Sequence, residues 1–216
     1  MIRLSDAKPI SNGSYRRAFV HPDDDSKVIK VSVENPKSYL EKKGPYRYLR
    51  NLLSWENFFA DANKLEFKQF KALKRRGVFP SKHLVEVFGY VETDLGRGLI
   101  VERVKNFRYP DYPSVQNYVN HYGPYQDKDD REAIKEYFEF LLNTPLYGKV
   151  IYLHNMSMIK GDDGKPLVRA HDFKLLETKE FIPISNWIGY FRDRKAVRRI
   201  RRAQKNLWPI VMGEEL

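Results

Sequence analysis

The chain of 216 residues contains no cysteine, which excludes disulfides, zinc–thiolate sites and thiol nucleophiles. No apolar run approaches the ~18 residues that a membrane-spanning helix needs. The opening MIRLSDAKPISNGS lacks the apolar stretch that heads a secretory leader. Together these absences predict a soluble protein of the reducing cytoplasm. Acid is also scarce: 28 Asp and Glu face 39 Lys and Arg, a net charge of +11. An excess of that size points to an anionic partner, whether nucleotide, nucleic acid, acidic glycan or anionic membrane surface. A basic surface that is merely solvated accounts for it equally well. There is no internal repeat and no low-complexity tract.

What is present is enough to build a core, since 42% of the residues are apolar and 14% aromatic. Arg16 to Val20 and the alternating Lys27 to Val33 read as strands around a turn at Pro22 to Asp25. Phe58, Phe59, Ala62, Leu65, Gln69, Phe70 and Leu73 recur at helical spacing from about 55 to 76, before Gly77 and Pro80. The segment HLVEVFGYVETDLGRGLIVERV gives two strands joined through Asp94-Leu95-Gly96-Arg97-Gly98, with glycine where a positive φ is required. Composition shifts near 104 to 112 and marks a boundary. A helix capped by Asp129 or Asp130 then runs to about Asn143 with Ile134, Tyr137, Phe138, Leu141 and Leu142 inward. The stretch KVIYLHNMSMIKGDDGKPLVRAHDF follows as two short strands about a Gly161 to Gly164 tip.

Three places carry candidate chemistry. In ISNGSYRRAFVHPDDDSKVIKV, Gly13 and Ser14 form a small-residue loop between strands, and Lys30 lies inside the second strand. Small residues let backbone N–H groups approach phosphate oxygens, and a strand lysine can point at the same phosphates. A surface hairpin with an exposed lysine is the plain alternative. On the helix that follows, Glu66 lies on the edge of the apolar face and can point inward, with Glu56, nearer the helix start, as the rival. In the third stretch, Asn155 and Asp172 each adjoin a short apolar strand, and their hard oxygen atoms suit magnesium. An ordinary hairpin with a capping Asn and a surface Asp explains that stretch too. Either His154 or His171 could titrate near neutral pH, but alternation along a strand would turn each away from its site-facing neighbour.

The order of these parts resembles a protein kinase from end to end. More narrowly, the chain resembles the PhoP-regulatory-network (YrbL-type) family of bacterial kinase-like proteins. The resemblance rests on SNGSYRRAFVHPDDDSKVIKV, GYVETDLGRGLIVERV, HNMSMI and HDFKLLETKEFIPISNW. It spans nearly the whole chain, is weakest over 36 to 60, and is most family-specific at VETDLGRG and at Ile182, Pro183 and Trp187.

The resemblance implies an α+β, bilobal kinase-like fold. Residues 1–104 would form a small antiparallel N-lobe with one helix, and 105–216 a reduced, mainly helical C-lobe. It implies ATP and magnesium between the lobes: Gly13 and Ser14 at the phosphates, Lys30 as the phosphate lysine and Glu66 as its partner. Val101, Glu102 and Arg103 would meet the adenine, and Asn155 and Asp172 the metal. Two departures stand out. The position of the kinase base is Val150, which cannot accept a proton, and Lys174 replaces the glycine after Asp172-Phe173. The resulting expectation is an ATP-binding, kinase-like protein, a weak or atypical phosphotransferase acting on a sugar, lipid-glycan or protein. The alternatives are a pseudokinase scaffold without catalysis and, behind it, a nucleic-acid-binding protein.

The C-terminal segment is the third source of expectation. Arg192 to Lys205 holds eight basic residues and one acid, Asp193. Val197, Ile200, Ala203 and Leu207 give a narrow apolar stripe at helical spacing. An amphipathic helix follows, either packed with its basic face solvated or docking that face on an acidic glycan, a protein, an anionic surface or, less favourably, nucleic acid.

Overall fold

In the computed structural model, residues 1–13, 16–32, 62–107, 109–111, 113–144, 146, 148–172 and 189–214 are described, the side chains of 189–192 excepted. The fold class is α+β. The chain divides into two compact units, one built mainly on residues 1–72 and 87–103, the other mainly on 73–86, 104–176 and the C-terminal helix.

The first unit is a five-stranded antiparallel sheet in the order β1-β2-β3-β5-β4. Its strands are β1 (Ser11–Asn12), β2 (Arg16–His21), β3 (Asp24–Ser32), β4 (Val87–Thr93) and β5 (Gly96–Glu102). Side chains alternate across a strand, so Ile29 and Val31 join Leu4 and Phe19 in one buried cluster while Lys30 faces the other way. Lys30 pairs across the ladder with Ala18 and Leu99.

The β4–β5 loop is Asp94–Leu95 alone. Gly96 supplies the positive φ, 99°, and Thr93 fixes the turn by donating to the Gly96 carbonyl at 2.5 Å. Gly98 serves another purpose, since a Cβ there would lie 2.4 Å from Ile29 Cγ2. Asp94 accepts from the backbone N–H groups of Leu4 and Ser5 at 2.7 and 3.0 Å. The VETDLGRG hairpin thus holds the first residues of the chain against the sheet.

Helix α1 (Ala62–Arg75) ends at Gly77, φ 73°. The expected start near 55, and with it Glu56, Phe58 and Phe59, lies outside the described residues. The buried positions are Asn63, Glu66, Phe70 and Leu73, which recur at helical spacing. Glu66 therefore sits at the centre of the buried face rather than on its edge.

In the second unit, helix α2 (Val115–Tyr122) is capped by Ser114. Helix α3 (Lys128–Asn143) is capped by Asp127, whose carboxylate accepts from the N–H groups of Asp129 and Asp130. The expected cap was two or three residues too late, because Asp127, Asp129 and Asp130 offer three starting points within four residues and only local backbone geometry chooses among them. Leu142 is half-buried, while Ile134, Tyr137, Phe138 and Leu141 are buried as expected. Strands β6 (Met156–Lys160) and β7 (Pro166–Ala170) form a separate two-stranded sheet.

The aromatic stretch after Phe107 serves packing in this unit. Tyr118 and Tyr125 are buried and stacked with centroids 4.1 Å apart. Burial, then the Tyr109 hydroxyl, pushes the Tyr118 phenol up to about 12.

Helix α4 (Gly189–Met212) buries Ala196, Ile200, Trp208, Val211 and Met212. This corrects the stripe read from the sequence: Ile200 is buried, but Val197, Ala203 and Leu207 are half-exposed. The Trp208 ring packs on Phe138 of α3, centroids 6.4 Å apart, and a large ring outweighs small stripe residues in setting the helix's rotation. Arg131 of α3 donates to the Met212 carbonyl at 2.9 Å, capping the end of α4.

Candidate functional site

Lys30 and Glu66 meet in the first unit. Lys30 Nζ donates to Glu66 Oε1 at 2.7 Å, with Lys30 8% exposed and Glu66 0%. The other oxygen, Oε2, accepts from Nη1 of Arg16. Asn63, one turn before Glu66, donates Nδ2 to the Lys30 carbonyl at 2.8 Å and accepts from Arg16 at 3.2 Å through Oδ1. One helix face thus grips two cations, one from β2 and one from β3.

Burial alone would raise the Glu66 pKa, but the charges and hydrogen bonds of Lys30 and Arg16 outweigh it. The carboxyl is held well below the usual range and is ionised at any physiological pH. A lysine fixed in this way has both its direction and its charge defined.

Sequence reasoning missed Arg16 and Asn63. Nothing in a string of residues separates Arg16 from Arg17, although the strand register does: Arg16 stands opposite Ser32 at the end of the β2–β3 ladder. Gly13 closes the loop that precedes β2, its N–H donating to the Arg16 carbonyl at 2.9 Å. Ser14, the other expected phosphate-loop residue, lies outside the described residues.

Val101 and Glu102 end β5, opposite Val28 and Lys27 of β3. Val101 is buried. Arg103 follows, its N–H donating to the Ser26 carbonyl at 2.7 Å and its side chain paired with Asp25.

Asn155 and Asp172 come together in the second unit. The N–H of His171 donates to the Asn155 carbonyl at 3.0 Å, and that of Ala170 to the His83 carbonyl at 2.9 Å. The end of β7 is therefore held from two sides just before Asp172. The Asn155 side chain donates Nδ2 to the Lys149 carbonyl at 2.9 Å, which leaves Oδ1 as its acceptor end.

Asp172 has φ 78°, the one positive value outside glycine among the described residues. Aspartate tolerates that region better than most residues, and such a conformation persists where its surroundings over-determine it. Two hard oxygen donors, one carboxylate and one amide, fit magnesium, which takes one or two carboxylates and completes its shell with phosphate oxygens and water. Among the described residues no group of three or more His, Asp or Glu converges.

The environment of position 150 is now explicit. Residues Lys149–Ile151 and Leu153–Asn155 form two 3₁₀ turns rather than a strand. Val150 is fully buried, and its carbonyl accepts the Tyr137 hydroxyl at 2.8 Å. Because His154 lies in a 3₁₀ turn, strand alternation does not turn it away. It is exposed and stacks on Tyr152 with centroids 5.4 Å apart. Partial desolvation and the Lys149 charge depress its pKa, opposed by the Asp172 carboxylate. His154 is thus a neutral imidazole at pH 7 within electrostatic reach of Asp172. His171 is half-buried. Phe173, Lys174, Ile182, Pro183 and Trp187 lie outside the described residues.

A family model described as PhoP regulatory network protein YrbL matches residues 2–207, nearly the whole chain. No curated protein matches.

Proposed function

The chain belongs to the PhoP regulatory network protein YrbL family, and on that premise we propose that it is a kinase-like protein that binds ATP with magnesium and transfers the γ-phosphoryl group slowly. The buried Lys30–Glu66 ion pair at 2.7 Å carries this reading. A lysine in mid-strand, held by a helix carboxylate, is the arrangement by which kinases place a positive charge on nucleotide phosphates. In this assignment the loop at Gly13 and Ser14 lies against the phosphates, Lys30 neutralises them and Glu66 orients Lys30. The adenine contacts fall to Val101, Glu102 and Arg103. Asn155 and Asp172 hold magnesium, which when bound neutralises charge developing on the phosphate oxygens. The acceptor is a hydroxyl of a sugar, lipid-glycan or protein.

Val150 sets the rate. A buried valine neither accepts a proton nor orients a hydroxyl, so catalysis rests on positioning and charge. The same buried Val150 favours a second reading, a pseudokinase that binds nucleotide and recruits a partner without phosphoryl transfer. Fluorescence thermal shift and phosphate release separate the two. The first predicts a rise in Tm with ATP and magnesium, lost in Lys30→Ala, together with a slow turnover abolished in Asp172→Ala. A rise without turnover supports the pseudokinase, and no rise in the wild type overturns both.

A further inference from the structure

The C-terminal helix retains a group of charges that the nucleotide reading does not use. Arg194, Arg198, Arg201, Arg202 and Lys205 are all exposed. At 100° per residue they fall within an arc of about 100° and extend about 16 Å along the helix axis. They form one ridge, four of its five members arginine. Among the described residues Arg198, Arg201, Arg202 and Lys205 make no ion pair or hydrogen bond.

Three further observations bear on what the ridge fits. Asp193, the one acid in the segment, lies 3.8 Å from Arg76, so part of its charge faces a cation outside the ridge. Arg76 also adjoins Lys74 and Arg75, both exposed at the end of α1. The apolar side of α4 is spent on the protein itself through Ala196, Ile200, Trp208, Val211 and Met212. A helix that lies in a bilayer surface must turn its apolar face to the lipid, and this one turns it inward. Like charges three and four residues apart also repel along the helix, so the ridge is not there to stabilise α4.

We propose that the α4 ridge docks on the phosphodiester backbone of duplex nucleic acid, as a sequence-independent contact separate from the nucleotide site. Charge complementarity and shape both support this occupant. A single helix, about 10–12 Å across, matches the width of the B-DNA major groove, about 12 Å. Guanidinium groups fanning from its crest reach phosphates on either rim, each able to bind two oxygens at once.

The test is fluorescence anisotropy of the full chain with a labelled 20-base-pair duplex. Neutralising about five phosphates predicts log K falling against log salt with a slope of about −4.5, or about 500-fold weaker binding between 50 and 200 mM salt. The triple variant Arg198→Glu, Arg201→Glu, Arg202→Glu should lose more than about tenfold in affinity at 100 mM salt. Lys128→Glu, Lys160→Glu, Lys165→Glu changes the net charge equally and should stay within about threefold of the wild type. Circular dichroism verifies folding, and Arg198→Gln, Arg201→Gln, Arg202→Gln, which removes repulsion without reversing charge, repeats the test if the first triple misfolds. Equal losses in the two charge-reversal triples would reduce the effect to net charge and overturn the ridge. So would no duplex binding at 50 mM salt, or binding only to vesicles of phosphatidylglycerol and phosphatidylcholine in a 1:3 ratio.

Discussion

At the scale of single residues, Glu66 is the point on which the first unit's polar centre depends. It is fully buried and accepts from both Lys30 and Arg16. Removing one partner of a buried ion pair strands the other charges, a loss of about 3–5 kcal/mol. Glu66→Ala is therefore expected to lower unfolding stability by that amount in urea titrations, whereas Lys68→Ala, exposed on the same helix, is the comparison variant for general helix effects. Periodicity placed Lys30 in a strand and Glu66 beside a helix's apolar face, and the resemblance to the kinase order suggested that they pair. Arg16 and Asn63 were not legible in the sequence: their roles come from strand register and helix rotation, neither of which a one-dimensional pattern specifies.

Two histidines give the second unit a pH dependence of defined sign. His83 is buried between the rings of Tyr137 and Phe140, with Nδ1 3.0 Å from the Val168 carbonyl oxygen. Burial lowers its pKa more than that hydrogen bond raises it, and His154 is depressed by partial desolvation as well. Both release protons on folding, so the unfolded chain binds more protons as pH falls below about 6.5. Stability is then complete above that pH and declines below it. Denaturant midpoints at pH 7.5 and 5.5 should differ in this direction, and His83→Gln should reduce the difference.

At the scale of elements, the β4–β5 hairpin and helix α4 show opposite limits of sequence reading. Glycines in the hairpin signalled a turn, but the signal ran together two functions. Gly96 provides φ 99°, while Gly98 provides room for Ile29. Gly98→Ala is expected to cost about 1–3 kcal/mol through overpacking, measured as a lowered midpoint in urea, and to cost less in an Ile29→Ala background, which removes the clashing Cγ2. For α4 the helix was legible, but its rotation was not. Val197 is more apolar than Ala196, yet Ala196 is the buried one, because docking of Trp208 on Phe138 fixes which face turns inward. The 3₁₀ turns before Asn155 were read as strand for a related reason: a short apolar run carries no period that separates the two.

At the scale of the whole molecule, the charge of +11 is not evenly spread. Arg192 to Lys205 contributes eight bases against one acid, or seven of the eleven. The remaining charge is modest for a chain of this length, and each unit holds its own fixed polar group. In one unit Lys30 and Arg16 share Glu66. In the other, Asn155 and the approach to Asp172 are fixed by backbone hydrogen bonds. No helix among the described residues is long and apolar enough to cross a membrane. The proposed nucleotide binding and the proposed polyanion contact on α4 rest on different residues, and each proposal can fail without the other.

The central claim, that a YrbL-family chain with this lysine–glutamate pair binds ATP and magnesium, is tested most directly by isothermal titration calorimetry. Wild-type protein titrated with ATP should give saturable heat with magnesium present and much weaker binding in EDTA. Lys30→Met, which keeps the apolar stem and removes the charge, should weaken binding by at least tenfold, while Arg198→Glu, Arg201→Glu, Arg202→Glu should leave it unchanged. Absence of saturable heat in the wild type with magnesium, or equal affinity in the wild type and Lys30→Met, would contradict the account.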